Sequence, residues 1–226
     1  MVRALLDGRK TQTRRALNPQ PFPVGGPFYR PHPEVQPHHW YSIGRRGLIC
    51  NIQKVRYAPG DRLYVREEWS THPAFDGISP RDLKRGSGIY TRADGLWHNV
   101  DDVIGWPFGR RRAGMHMPRW ASRITLTVTN VRVQRLQDCS EEDAVAEGIY
   151  PWQHEELGTL YSFERPGDTV YRGRNKIASP AGFDRASHTY CRLWDNINGE
   201  GAWDKNPWIV AVSFSVEQRN IDEVPA

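Results

Sequence analysis

Along this chain apolar residues recur with two periods, separated by long stretches that have neither. Val2, Leu5 and Leu6 fall at helical spacing with Gly8 behind them as a C-cap, which predicts a short helix over residues 1–7. Residues 12–17 then leave it as a strand. Pro59-Gly60-Asp61 forms a turn, and 62–67 alternate apolar and polar in strand fashion. Between 122 and 135, Ile124, Leu126 and Val128 keep one strand phase and Val131 and Val133 the other, so a bulge is expected at Thr129-Asn130. Ser140-Glu141-Glu142-Asp143 resembles a capping box, with a hydroxyl at the N-cap and acids where the helix dipole favours them; the helix runs to Glu147 and ends at Gly148. Residues 186–197 read as a further helix, stopped by Asn198-Gly199. Trp208, Val210, Val212, Phe214 and Val216 alternate with smaller residues, the pattern of a strand running through a core.

Three regions lack these periods. Residues 18–48 carry seven prolines, residues 72–118 are loop-rich with a short strand at 89–92, and residues 150–182 are rich in Gly, Pro and charge. Each reads as an insertion. What remains is α+β: a small mixed β-barrel with flanking short helices, one domain over residues 1–226.

At 226 residues the chain can bury one good core, and its mean hydropathy of −0.69 is that of a soluble protein. No apolar run approaches the roughly 20 residues that span a bilayer, so a cytoplasmic protein with no membrane partner is expected. Cys50, Cys139 and Cys191 are odd in number and widely spaced, which fits reduced thiols rather than a disulfide framework or a metal knuckle. His188 and Cys191 could make half a metal site, but no second pair completes it. No Walker loop, Gly-x-Ser-x-Gly elbow or His-Glu-x-x-His occurs. Neither metal nor cofactor is expected.

Charge is unevenly spread. Residues 1–60 hold ten Lys/Arg against Asp7 and Glu34, residues 105–135 hold seven arginines and no acid, and residues 136–160 hold seven acids and no Lys/Arg. Basic surfaces mixed with aromatic rings suit RNA or a single-stranded nucleic acid, with Trp40, Trp69 and Trp120 as candidates for stacking a base. The same composition also describes solvated arginines around a tryptophan-filled core.

The densest chemistry is in residues 8–15, Gly-Arg-Lys-Thr-Gln-Thr-Arg-Arg. A hydroxyl is a poor nucleophile until a neighbouring base takes its proton, and a lysine can serve once burial or nearby cations depress its pKa. The same residues could instead grip a phosphate.

Residues 1–15 and Pro59-Gly60-Asp61-Arg62-Leu63-Tyr64-Val65-Arg66-Glu67 resemble the ASCH domain of the PUA-like superfamily. Met117-Pro118-Arg119-Trp120-Ala121-Ser122-Arg123-Ile124, Glu141-Glu142-Asp143-Ala144 with Glu147-Gly148-Ile149, and Leu193-Trp194-Asp195 with Asn206-Pro207-Trp208 resemble its larger phage and prophage members. The resemblance implies a β-barrel with a cleft between the barrel and the first helix. Members usually carry a strand before that helix, whereas this chain begins within it, which leaves open how the barrel closes.

One branch of that family hydrolyses the amide of N4-acetylcytidine and related N4-acylcytosine nucleosides without a metal. Its Lys-Thr-x-Thr motif matches Lys10-Thr11-Gln12-Thr13, which carries the catalytic lysine onto Lys10 and the nucleophile onto Thr13, and its glutamate falls on Glu147. Arg9, Thr11, Arg14 and Arg15 would then border the substrate, with Arg15 or a backbone N–H steadying the oxyanion. Glu147 would deliver a proton to the departing amine or orient Lys10. Other members are proposed RNA binders, and ribonuclease activity has been suggested for some, so a modified-base reader and a ribonuclease are the alternatives. One difficulty is geometric: in a regular strand Lys10 and Thr13 point to opposite faces. A turn at residues 8–10 would join them; without it Thr11 is the rival nucleophile, or the motif clamps phosphate.

Overall fold

A computed structural model describes residues 2–21, 29–31, 39–43, 49–98, 107–163, 170–172, 175–177 and 182–223. In chain order the elements are α1 (Val2–Leu6), β1 (Gln12–Ala16), β2 (Tyr29–Pro31), β3 (His39–Ile43), β4 (Ile49–Lys54), β5 (Arg62–Tyr64), β6 (Trp69–Ser70), β7 (Ile89–Thr91), β8 (Leu96–His98) and β9 (Thr125–Arg135). They continue with α2 (Glu141–Ala146), β10 (Tyr150–His154), β11 (Gly158–Ser162), β12 (Val170–Arg172), β13 (Asn175–Ile177), α3 (Ala186–Asn198) and β14 (Trp208–Glu217). The fold is α+β, built on an antiparallel four-stranded half-barrel sheet in the order β1-β14-β9-β5. The chain divides into two compact units, residues 3–60 with 128–214 and residues 61–127 with 215–226.

In the first unit β1 pairs antiparallel with β14, Thr13 opposite Val212 and Arg14 opposite Ala211. Residues 208–212 are buried on both faces of the strand. Ile209 and Ala211 join Leu136, Ala144, Ile149, Tyr190 and Trp194 in one apolar cluster beneath α2 and α3. Each large aliphatic side chain so buried contributes about 1.5–3 kcal/mol. α3 ends where expected, at Gly199 with φ +101. In β9, Val128 and Val131 are buried while Thr129 and Asn130 between them are exposed, so the phase slips at the expected place. There the Asn130 side chain accepts the Val131 N–H at 2.9 Å.

β7 falls on the strand expected at 89–92, but the regions read as insertions and their margins carry other strands that composition hides. β2, β3 and β4 form one sheet, β10 with β11 and β12 with β13 form hairpins, and β6, β7 and β8 form a sheet in the second unit. Strands of two to six residues are too short to show a period, and prolines and glycines mask them. Tyr161 and Phe183 exchange backbone hydrogen bonds of 2.8 and 3.0 Å, and Thr189 Oγ1 of α3 donates to the Tyr161 carbonyl at 3.0 Å. The β10–β11 hairpin is therefore fixed to α3.

The second unit has its own core of Trp69, Leu83, Ile89, Met117 and Ala121. The strand expected over 62–67 stops at Tyr64. Val65 still donates to the Ile124 carbonyl at 3.0 Å, but Ser122 Oγ takes the Val65 carbonyl at 2.9 Å, and Glu67 turns to a two-point ion pair with Arg123.

Candidate functional site

The site begins where α1 unwinds. Gly8 has φ +70, and the chain reverses so that Lys10 N–H reaches the Ala4 carbonyl at 2.9 Å. Lys10 then forms a single antiparallel bridge with Glu147, and Thr11 N–H bonds the Ala146 carbonyl at 2.9 Å. Residues 10–11 are thus pinned to the end of α2.

α2 is shaped to present acids. Ser140 Oγ caps it by accepting the Asp143 N–H at 3.1 Å. The Asp143 carboxylate faces β1 and β9, where it takes Arg14 Nη2 at 2.7 Å, Arg132 Nη2 at 2.5 Å and Gln12 Nε2 at 3.2 Å. Gly148 ends the helix with φ +98, and a Cβ there would lie 3.1 Å from Ala4 Cβ and 3.2 Å from Lys10 Cβ. Gly148→Ala is expected to destabilise the protein by about 1–3 kcal/mol through backbone strain alone, with crowding added. Gly158 has φ +75 and open space around it. Gly158→Ala should therefore cost less, and urea denaturation of the two variants separates strain from crowding.

Lys10 Nζ donates to Glu147 Oε2 at 2.7 Å and to the Glu147 carbonyl at 2.9 Å. Arg14 Nη1 holds the other carboxylate oxygen at 3.1 Å. Lys10, Arg14 and Glu147 are only 3%, 1% and 7% exposed, so this is a buried ion cluster rather than a surface pair. Burial pulls the Lys10 pKa below its ordinary value of 10.5; the Glu147 carboxylate opposes that shift, and Arg15 and Arg14 add to it. The Tyr190 ring lies 5.6 Å from the Arg14 guanidinium, and its phenol is pushed up by burial and by Glu147. Burial, reinforced by Asp143 and Glu147 against Arg14, pushes the Cys139 thiol up to about 12, which keeps it protonated at neutral pH.

Thr13 lies elsewhere. Its place opposite Val212 puts its side chain on the other face of β1 from Arg14, which opposes Ala211. Thr13 Oγ1 is buried and makes no hydrogen bond among the described residues, Lys10 included. Thr11 is exposed. Arg9 is engaged with Asp7 at 2.9 Å and the Gly148 carbonyl at 3.0 Å, over the Tyr150 ring. Arg15 is exposed and spends one N–H on the Arg14 carbonyl at 3.1 Å. Lys10, Arg14, Arg15 and Glu147 line one side of a hollow of about 60 Å³, with Tyr190 and Trp194 of α3 on the other. Such a space takes a few waters or an acetyl-sized group but is well below the ~150 Å³ that holds a benzene ring. A pyrimidine ring does not fit within it.

The tryptophans proposed for stacking are largely packed away. Trp40 is buried, Trp69 is fully buried beneath the Arg112 guanidinium, and Trp120 packs against the core of the second unit. The contributions of Arg14 and Asp143 as internal partners escaped the sequence reading. Two periodicities carry the signal: Gln12 and Arg14 share one strand face, and Asp143 and Glu147 lie four apart on one helix face.

Among the described residues no group of three or more His, Cys, Asp or Glu side chains is placed to hold a metal ion, and no helix is long and apolar enough to cross a membrane. Comparison with family models, curated proteins and solved structures finds no match.

Proposed function

We propose that this protein is a metal-independent amidohydrolase that cleaves the N4-acyl amide of N4-acetylcytidine or a related N4-acylcytosine nucleoside. One observation carries the reading: a lysine amine of depressed pKa is buried against a carboxylate, three residues from a buried hydroxyl that has no hydrogen-bond partner. The resemblance of residues 8–15 and of Glu147-Gly148-Ile149 to the ASCH hydrolases supports the same assignment of roles.

In this scheme Thr13 Oγ attacks the acyl carbon while its proton passes to the Lys10 amine. Thr13 faces the side of β1 opposite Arg14, so the step requires residues 8–13 to rearrange about Gly8 until Lys10 Nζ, released from Glu147, reaches Thr13 Oγ. Arg15, which keeps free donors beside the hollow, steadies the oxyanion; Arg14 is committed to Glu147 and Asp143 and cannot. The tetrahedral adduct collapses with its C–N bond breaking, and the exocyclic nitrogen leaves as the neutral amine after taking from Lys10 the proton that Thr13 gave up. Water then cleaves the threonyl ester. The small hollow suits the acyl group and leaves the base outside, but Thr13 does not line it, so the same rearrangement must bring the hydroxyl there.

The pH dependence follows from the sign of the Lys10 shift. Only the neutral amine accepts the threonine proton, so kcat/KM for N4-acetylcytidine should rise with pH and level off below 10.5. Because Glu147 favours the charged amine, Glu147→Gln should move that limb to lower pH. An unmoved limb would detach Lys10 from the proton transfer.

A second reading has its own observation. Thr13 lies on the other face of β1 from Arg14, which favours a non-catalytic module whose Lys10–Glu147–Arg14 cluster only shapes a nucleotide-binding surface. Release of cytidine by the wild-type protein, monitored chromatographically, decides between them.

A further inference from the structure

The arginine-rich segment after residue 105 has no part in the site above. It runs beside β6: Gly109 N–H bonds the Thr71 carbonyl at 2.7 Å, and Arg112 exchanges backbone bonds of 2.8 and 3.2 Å with Trp69. This extends the β6–β8 sheet by one more chain. Strand alternation divides that sheet into two faces. Trp69, Ile89 and Thr91 lie on the core face, and Tyr90 of β7 lies on the other, where Arg92 follows at the strand's end.

On that outer face the aromatic rings are joined. Phe108 stacks on Tyr90 with ring centroids 4.8 Å apart and planes 15° from parallel, and Trp97 meets Tyr90 edge-on at 5.6 Å. Phe108 is 54% exposed, so much of its ring is open to solvent. Arg92 sits 5.9 Å from the Phe108 centroid, and Arg110 and Arg111 follow that ring in the chain and are exposed. Glu68 pairs with both Arg92 and Arg111, and Asp76 accepts the Arg110 backbone N–H. Arg92 and Arg111 thus share the single Glu68 carboxylate, while Arg112 is turned to the core.

Exposed stacked rings give a base a π-face, and surplus guanidiniums beside them give its phosphates a partner. We infer that the outer face of the β6–β8 sheet is a single-stranded nucleic-acid platform, on which Phe108 and Tyr90 stack a base and Arg92 and Arg111 hold the flanking phosphates. The platform lies wholly in the second unit and does not depend on the hydrolase reading. It also replaces Trp40 and Trp69 as the aromatic surface for bases.

Fluorescence anisotropy of the full chain with labelled oligo-dT and oligo-rU of about ten nucleotides tests this. Phe108→Ala should weaken binding about tenfold, and Phe108→Tyr should preserve it. Replacing Arg92 and Arg111 together by alanine should flatten the slope of log affinity against log salt by about 1.4. An unchanged circular dichroism spectrum and melting temperature for Phe108→Ala confirm that the fold is intact. Three results would overturn the inference: no binding at low salt, equal affinity of Phe108→Ala and wild type, or affinity lost in Lys10→Ala but kept in Phe108→Ala.

Discussion

Glu147→Ala is expected to destabilise the protein by about 3–5 kcal/mol, the cost of leaving a buried charge without its partner. The carboxylate receives Lys10 on one oxygen and Arg14 on the other, and all three side chains are nearly inaccessible to water. Removing it strands both cations. Lys10 would retain only the Glu147 carbonyl, and Arg14 would retain Asp143 at 2.7 Å. Lys10 can shed its charge as its pKa falls further, but a guanidinium cannot. The compensating double variant Lys10→Met with Glu147→Leu should recover much of the loss, because apolar groups of similar volume replace a buried pair at little cost. Urea denaturation followed by tryptophan fluorescence gives both values. A loss below about 1 kcal/mol for Glu147→Ala would mean that the pair behaves as a solvated one.

Thr13→Val should do the opposite to stability while abolishing turnover. Valine keeps the shape of threonine and replaces the hydroxyl with a methyl group. Thr13 Oγ1 is buried with no partner, a state that costs about 1–3 kcal/mol. The variant should therefore gain about 1 kcal/mol, after allowing for local relaxation. Hydrolysis of N4-acetylcytidine should fall by about 10²-fold or more, since the attacking atom is gone. A group that destabilises the fold and is required for activity is a mark of function rather than packing. Equal stability of the variant and the wild type would show that the hydroxyl is satisfied in solution.

How far the sequence foretold this structure depends on segment length. α3 and β14, of 13 and 10 residues, are long enough for their periods to show, and both appear where the pattern predicts them. The slip in β9 is visible in the sequence because Val131 follows Val128 by three positions rather than by an even number. β10 and β11 were read as loop because each has five residues and the pair begins Tyr150-Pro151. Their stability comes from pairing with each other and with Phe183, which no local window contains.

The site divides in the same way. Lys10 and Glu147 were nominated from the motif and its resemblance, and they meet although 137 positions separate them. Thr13, nominated with them, follows the strand rule and faces away from Arg14. Arg14 was read as a rim residue, because sequence does not reveal that α2 delivers two carboxylates to its guanidinium. The fully buried Trp69 shows the limit of composition: an indole serves a core and a binding face equally well, and only packing distinguishes them.

The most direct test is to trap the covalent intermediate. The protein is mixed with N4-acetylcytidine, quenched in acid within a turnover, and digested for mass spectrometry. A hydrolase working through Thr13 yields an acetyl ester on that residue, absent from Thr13→Val. Continued turnover by Thr13→Val with no acetylated threonine would contradict the mechanism and leave Lys10, Arg14 and Glu147 as structural or binding groups.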